Sequence, residues 1–176
     1  KWDEEYVLST FGEPLVLTLK RDFSGFPYEE VLASYREYQV GRFEKEVTLY
    51  DTVIETVKYL NNKNIKIGIA TSRIKSSTLI ALKNFDLDKY FQVVISAEDV
   101  VSHKPDKEPL IKAIRGLNSS SENTLYVGDS KFDMECAFNA EVTPVLVGWQ
   151  KNSGELAEKY KIKHVLSKMW DLTKII

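Results

Sequence analysis

The chain has 176 residues, of which 43% are hydrophobic and 28% charged, and its formal net charge is −2. This composition is typical of a globular protein with a substantial core, and it argues against a basic nucleic-acid-binding surface. No apolar segment has the length needed to cross a bilayer, and the single cysteine, Cys136, excludes an internal disulfide. We therefore expect a cytoplasmic protein with neither nucleic acid nor membrane as a partner.

The first part of the chain, residues 1–48, is predicted to be helical throughout. Apolar and aromatic residues recur there at helical intervals, most clearly at Tyr28, Val31, Leu32, Tyr35 and Tyr38.

From residue 49 onward, predicted strands alternate with predicted helices. The strands are Ile65–Ala70, Val93–Ile95, Thr124–Val127, Val145–Val147 and His164–Leu166. The helices between and around them cover approximately residues 53–60, 79–85, 110–117, 132–139 and 154–160. Alternation of this kind predicts βαβ crossovers, and hence an α/β fold with a parallel sheet covered by helices. Such sheets bind ligands at the carboxyl ends of their strands.

Two acids follow the third predicted strand. Asp129 comes directly after Gly128 at the strand end, and Asp133 lies four residues further on. Two carboxylates that converge there would form an oxygen-only site of the kind that suits Mg²⁺. Alternatively, Ser130 and Asp133 match a capping box, in which Asp133 only stabilises the start of a helix. The capping box does not explain Asp129, an acid that ends a buried strand.

Hydroxyl and cationic side chains follow the first two strands. Thr71 and Ser72 would form a phosphate cradle together with free backbone N–H groups, or they would cap the following helix. Arg73 is a candidate contact for a substrate phosphate. Lys104, which Pro105 biases toward an extended backbone, would reach into the cleft and neutralise an anion, although most lysines are solvated.

Taken in order, Thr71, Lys104–Pro105 and Gly128–Asp133 resemble the second, third and fourth motifs of the haloacid-dehalogenase-like hydrolases, in particular the phosphoglycolate-phosphatase-like branch. The resemblance implies a Rossmann-like core of residues 49–176 and a helical cap of residues 1–48. It also implies that Thr71 hydrogen-bonds the transferring phosphoryl group and that Lys104 stabilises the nucleophile. Asp129, and less directly Asp133, would hold Mg²⁺.

The family's first motif, DxDG[TV], does not occur in this sequence. In the family its first Asp is the nucleophile and its second is the general acid and base. Its strand would lie inside the sheet, between the strand that precedes Thr71 and the strand that contains Leu125. Without it, two rows of backbone groups would lack partners. We therefore expect these residues to be part of a longer protein, or another chain or a rearranged strand to fill the gap. The chain would be inactive unless the motif is supplied.

The activity that the resemblance implies is a Mg²⁺-dependent phosphatase. It would hydrolyse a small phosphorylated metabolite, either a phosphoglycolate-like monoester or pyrophosphate, through an aspartyl-phosphate, as a monomer or homodimer. Alternatives are a phosphomutase on the same scaffold, and an inactive protein that binds a phosphate ligand or a partner. Dehalogenation is disfavoured because it needs no metal. A response-regulator-like module is disfavoured by the helical segment and the late acidic pair.

Overall fold

The computed structural model describes residues 2–10, 12–39 and 42–176 of the chain. Within the first part, the predicted helical character is confirmed by α1 (Glu4–Ser9), α2 (Leu15–Asp22), α3 (Tyr28–Gln39) and α4 (Phe43–Glu46). The apolar stripe of α3 is not a buried face, however: none of the described α3 residues is fully buried, and Tyr38 is 66% exposed. The division into two domains at residue 48 stays a prediction.

The second part alternates helices and strands as predicted. The helices are α5 (Val53–Asn62), α6 (Lys75–Asn84), α7 (Glu108–Gly116), α8 (Lys131–Asn139) and α9 (Ser153–Lys159). The strands are β1 (Gly68–Ala70), β2 (Val93–Ile95), β3 (Leu125–Gly128), β4 (Thr143–Val147) and β5 (His164–Leu166). Four short 3₁₀ turns, Asp88–Tyr90, Ala97–Asp99, Ser121–Asn123 and Met169–Lys174, complete the described elements.

The first strand is shorter than its apolar run predicted. Asn64 adopts a positive φ of 57°, and the Ile65 N–H donates to the Leu60 carbonyl at 3.0 Å. These contacts end α5, so Ile65 belongs to the helix terminus and not to the strand.

All described strand pairs are parallel, but the strands form two separate sheets. One sheet joins β1 to β2, with Ala70 opposite Ile95, and the other has the order β3-β4-β5, with Gly128 opposite Leu146. β1 and β3 are therefore not paired with each other. They are the two strands between which the family resemblance implies a further, interior strand.

Side chains cover both faces of the second sheet. Successive residues of β4 point to opposite faces, so Val145 joins an apolar cluster with Leu60 and Leu172, while Leu146 joins one with Met134. Val145 and Leu146 have no exposed surface, and burying each such side chain stabilises the fold by ~1.5–3 kcal/mol. Burial on both faces explains why this strand reads as a continuous apolar run.

Among the described residues, no helix combines the length and the apolar character that a membrane span requires.

Candidate functional site

The junction between β3 and α8 is built from local sequence. β3 ends at Gly128, and Ser130 caps α8: its Oγ accepts a hydrogen bond from the Asp133 N–H at 3.2 Å. In return, the Asp133 carboxylate accepts from the Ser130 N–H at 3.1 Å, so the predicted capping box is present. A Cβ on Gly128 would lie 2.3 Å from the Asp133 Cβ, so only glycine allows Asp133 to approach this closely.

Asp133 does more than complete the capping box, because its other carboxylate oxygen binds Lys104, which is distant in the sequence. Lys104 Nζ donates to Asp133 Oδ1 at 2.6 Å, and the Tyr126 hydroxyl lies 2.8 Å from the same oxygen. Lys104 is 8% exposed and Asp133 is 4% exposed. The capping box is therefore confirmed, and the same side chain also binds Lys104, while its part in metal binding stays a prediction.

The surroundings of Asp133 hold it in its charged form. Burial by itself would raise the pKa of Asp133, but the Lys104 ammonium and hydrogen bonds from Ser130 and Tyr126 outweigh burial and lower it. Burial, together with the Asp133 carboxylate, raises the pKa of Tyr126 well above its usual value, so the hydroxyl keeps its proton.

Asp129 is held less firmly. Its Oδ2 accepts a hydrogen bond from Gln150 Nε2 at 3.1 Å, and the residue is only partly exposed. Burial raises the pKa of Asp129, and the nearby Asp133 carboxylate raises it further, against the smaller opposing effects of Gln150 and Lys104. Two carboxylates thus lie near a single buried ammonium. Additional positive charge nearby would therefore stabilise the charged form of Asp129.

This donor set fits a hard divalent cation through Asp129. Both Asp133 oxygens already accept hydrogen bonds, so Asp129 is the better direct ligand, and a role for Asp133 in metal binding stays a prediction. Among the described residues no group of three His, Cys, Asp or Glu side chains is placed to hold a metal. Mg²⁺ commonly binds through one or two carboxylates and completes its coordination with water and substrate phosphate.

The three residues after β1 lie at the same edge of the fold. The Thr71 N–H donates to the Ile95 carbonyl at 2.9 Å, and Thr71 Oγ1 accepts from the Arg73 N–H at 3.1 Å. The alternative that Thr71 or Ser72 caps the next helix is wrong, because α6 begins after Ile74 and no side chain caps it. The Arg73 side chain is exposed.

A segment of the first helical region reaches these strand ends. Ser72 Oγ donates to the Gly12 carbonyl at 3.4 Å, and a Cβ on Gly12 would lie 2.3 Å from Ser130 Oγ. Gly12 has a φ of +83°, which glycine adopts without strain. Gly12 therefore contacts both the loop after β1 and the loop after β3.

The structure thus brings Lys104, Asp129 and Asp133 together and places Thr71 next to the same network, since the Tyr126 hydroxyl also lies 3.1 Å from the Ala70 carbonyl. A cavity of about 140 Å³ opens beside Asp129. It is lined by Ser9, Asp129, Ser130, Lys131, Gln150, Asn152 and Leu156.

Sequence reasoning missed two residues of this site. Tyr126 could have been found, because it places a hydroxyl within a predicted buried strand, two residues before Gly128. Gln150 had no comparable signal, because its partner Asp129 lies 21 residues earlier.

Three comparisons place the chain among known proteins. A family model described as haloacid dehalogenase-like hydrolase matches residues 1–147. A relative from Caldanaerobacter subterraneus subsp. tengcongensis, provisionally named pyrophosphatase PpaX, is 39% identical over 98% of this chain and 78% of its own length. Pyrophosphatase PpaX from Halalkalibacterium halodurans is 33% identical over all of this chain and 81% of its own. A crystal structure from Bacteroides fragilis, provisionally described as a haloacid dehalogenase-like hydrolase, superposes with a TM-score of 0.87 at 26% identity. That match covers 99% of this chain and 83% of the other.

Proposed function

The chain belongs to the haloacid dehalogenase-like hydrolases, and from this premise we propose that it is a Mg²⁺-dependent phosphatase acting on a small phosphorylated metabolite. The observation that carries the proposal is the buried Lys104–Asp133 pair beside Asp129, at the end of β3 and close to Thr71. A cation site and a buried ammonium at one edge of a parallel sheet suit the binding and transfer of a phosphoryl group.

Each predicted site residue has a physical role in this proposal. Thr71 and Lys104 are the catalytic residues that contact the phosphoryl group, the first as a hydroxyl hydrogen-bond partner and the second as a fixed positive charge. Ser72 and Arg73 add contacts to the substrate. Bound Mg²⁺, held by Asp129 with support from Asp133, would neutralise phosphoryl charge as a Lewis acid.

The nucleophile in this proposal is an aspartate on an additional strand. That strand is not one of β1–β5 and would lie between β1 and β3. The absence of a DxDG[TV] stretch from the sequence and the separation of the two sheets both support this origin. Attack of that carboxylate on phosphorus would form an aspartyl-phosphate and release the leaving group. Water would then hydrolyse the aspartyl-phosphate, which releases inorganic phosphate and restores the carboxylate.

Two substrate classes fit the proposal. A phosphoglycolate-like monoester follows from the resemblance of the motifs, whereas pyrophosphate is supported by the names of the relatives that are 33–39% identical. The cytoplasmic setting and the monomeric or homodimeric state stay predictions.

Release of inorganic phosphate from 2-phosphoglycolate and from pyrophosphate, with Mg²⁺ and with excess chelator, tests the function. The protein assayed is the full protein, meaning one that also contains the DxDG[TV] strand, because the 176 residues lack that motif. We expect turnover of one of the two substrates with Mg²⁺ and none with chelator. Asp129→Asn should abolish turnover, because it removes the charge that the cation needs, while Asp88→Asn, at an exposed site in a 3₁₀ turn, should retain it. Full activity of Asp129→Asn would refute the assignment.

A further inference from the structure

Tyr126 carries a polar group into an apolar cluster. Its ring packs against buried residues of α7 and α8, among them Leu110 and Cys136. Its hydroxyl lies 2.8 Å from Asp133 Oδ1, 3.2 Å from Lys104 Nζ and 3.1 Å from the Ala70 carbonyl. One side chain thus contacts the two charges of the site and the last residue of β1.

The number of protons decides the direction of these hydrogen bonds. A phenol donates one hydrogen bond and accepts others, while an ammonium only donates. Lys104 therefore donates to the Tyr126 oxygen, and the single Tyr126 proton has two acceptors to choose from. Asp133 is the closer acceptor and is charged, so it is the stronger one.

These two bonds restrict the Lys104 ammonium. One of its three N–H groups is directed to Asp133 and a second to Tyr126, which fixes the direction of the third. With Asp133 alone as a partner, the ammonium could pivot about that one hydrogen bond as the methylene chain of the lysine moves. The Tyr126 hydroxyl therefore supplies a second hydrogen bond that restricts the Lys104 ammonium to one orientation.

We propose that Tyr126 is a positioning residue that orients the Lys104 ammonium toward the phosphoryl group. The proposal rests on the proposed phosphatase function for its kinetic consequence, but its geometric part does not depend on it.

Kinetics of Tyr126→Phe in the full protein test the catalytic consequence. Phenylalanine keeps the ring and removes only the hydroxyl, so we expect kcat to fall about tenfold, the effect of one hydrogen bond to a charged group. KM should change by less than about threefold, because substrate still meets the same charges. The matched control is Tyr160→Phe, whose hydroxyl binds Glu135 away from the site and whose loss should leave kcat unchanged.

A spectroscopic readout separates this proposal from the proposed function. The ¹⁵N signal of the Lys104 ammonium should shift in Tyr126→Phe and stay in place in Tyr160→Phe, and this holds even if no phosphate substrate is turned over. Unchanged kcat together with an unmoved Lys104 signal in Tyr126→Phe would overturn the proposal. If Tyr126→Phe does not fold, the proposal is tested by NMR on the wild-type protein. An NOE between the Tyr126 ring and the Lys104 side chain is expected there, and its absence overturns the proposal.

Discussion

Lys104 Nζ and Asp133 Oδ1 lie 2.6 Å apart at a position from which water is largely excluded. Removing one partner of such a pair costs ~3–5 kcal/mol, because the other charge then stays buried alone. Hydrogen bonds from Ser130 and Tyr126 reduce the cost of burying Asp133. Cys136, three residues further along α8, is the contrasting case. It is fully buried as a small apolar side chain, and its thiol donates to the Asp106 carbonyl at 3.0 Å.

Thiol labelling tests this view of Cys136. Burial raises the pKa of Cys136 to about 12, against a smaller lowering effect of Lys104, so the thiolate is scarce at pH 8. We expect native protein to react with iodoacetamide far more slowly than urea-unfolded protein. Since Cys136 is the only cysteine in the sequence, mass spectrometry reports it directly. Equal labelling rates in the two states would show that the thiol is accessible and would contradict the interpretation.

At the scale of elements, the glycine at the β3–α8 junction and the glycine at the start of α9 differ in whether a larger side chain would fit. Gly128 admits the Asp133 side chain at a distance that no Cβ tolerates. Gly154 lies in the first turn of α9, and a Cβ there would meet no atom within 4 Å. The first glycine is required by packing, while the second only adds flexibility to the unfolded chain.

Substitution of these glycines by alanine should therefore have opposite effects. Gly128→Ala forces the Cβ into Asp133 and is expected to lower the free energy of unfolding by ~1–3 kcal/mol or more. Gly154→Ala should raise it by up to ~1 kcal/mol through better helix propensity. Urea unfolding of both variants measures the two changes. A loss of similar size in both would mean that the contact with Asp133 is not the cause.

At the scale of the whole molecule, the separation of the two sheets determines which backbone groups lack strand partners. The Thr71 N–H donates to the carbonyl of Ile95 in β2, and the Ile67 carbonyl accepts from the Gln92 N–H just before β2. The odd-numbered residues of this segment therefore direct their backbone groups toward β2. Gly68 and Ala70 direct theirs to the opposite side, where the Tyr126 hydroxyl contacts the Ala70 carbonyl. The edge of β1 that faces β3 is thus available to a further strand.

Amide hydrogen exchange tests this arrangement residue by residue. In the 176-residue chain, we expect the Ile69 and Thr71 amides to exchange slowly and those of Gly68 and Ala70 to exchange fast. A peptide with an apolar strand that ends in DxDGT should slow Gly68 and Ala70 as well, because it would supply partners on the open side. Slow exchange of Gly68 and Ala70 in the chain alone would show that this edge is already covered.

The sequence by itself determined the order and type of the elements and the strand ends at which Thr71 and Asp129 lie. This was possible because apolar periodicity reports which face of each element is buried, and because parallel strands present their carboxyl ends at one edge. It also determined the capping box of Ser130 and Asp133, since that motif spans only four residues.

Only the tertiary structure decided which distant groups meet. Lys104 and Asp133 are 29 residues apart, and Ala70 and Tyr126 are 56 apart, so no local pattern relates them. Periodicity shows that a residue is buried but not which partner it meets, which is why the roles of Tyr126 and Gln150 emerged only with the fold. For the same reason α3 was predicted with an apolar stripe that its neighbours bury only in part, since burial requires a packing partner as well as a hydrophobic face.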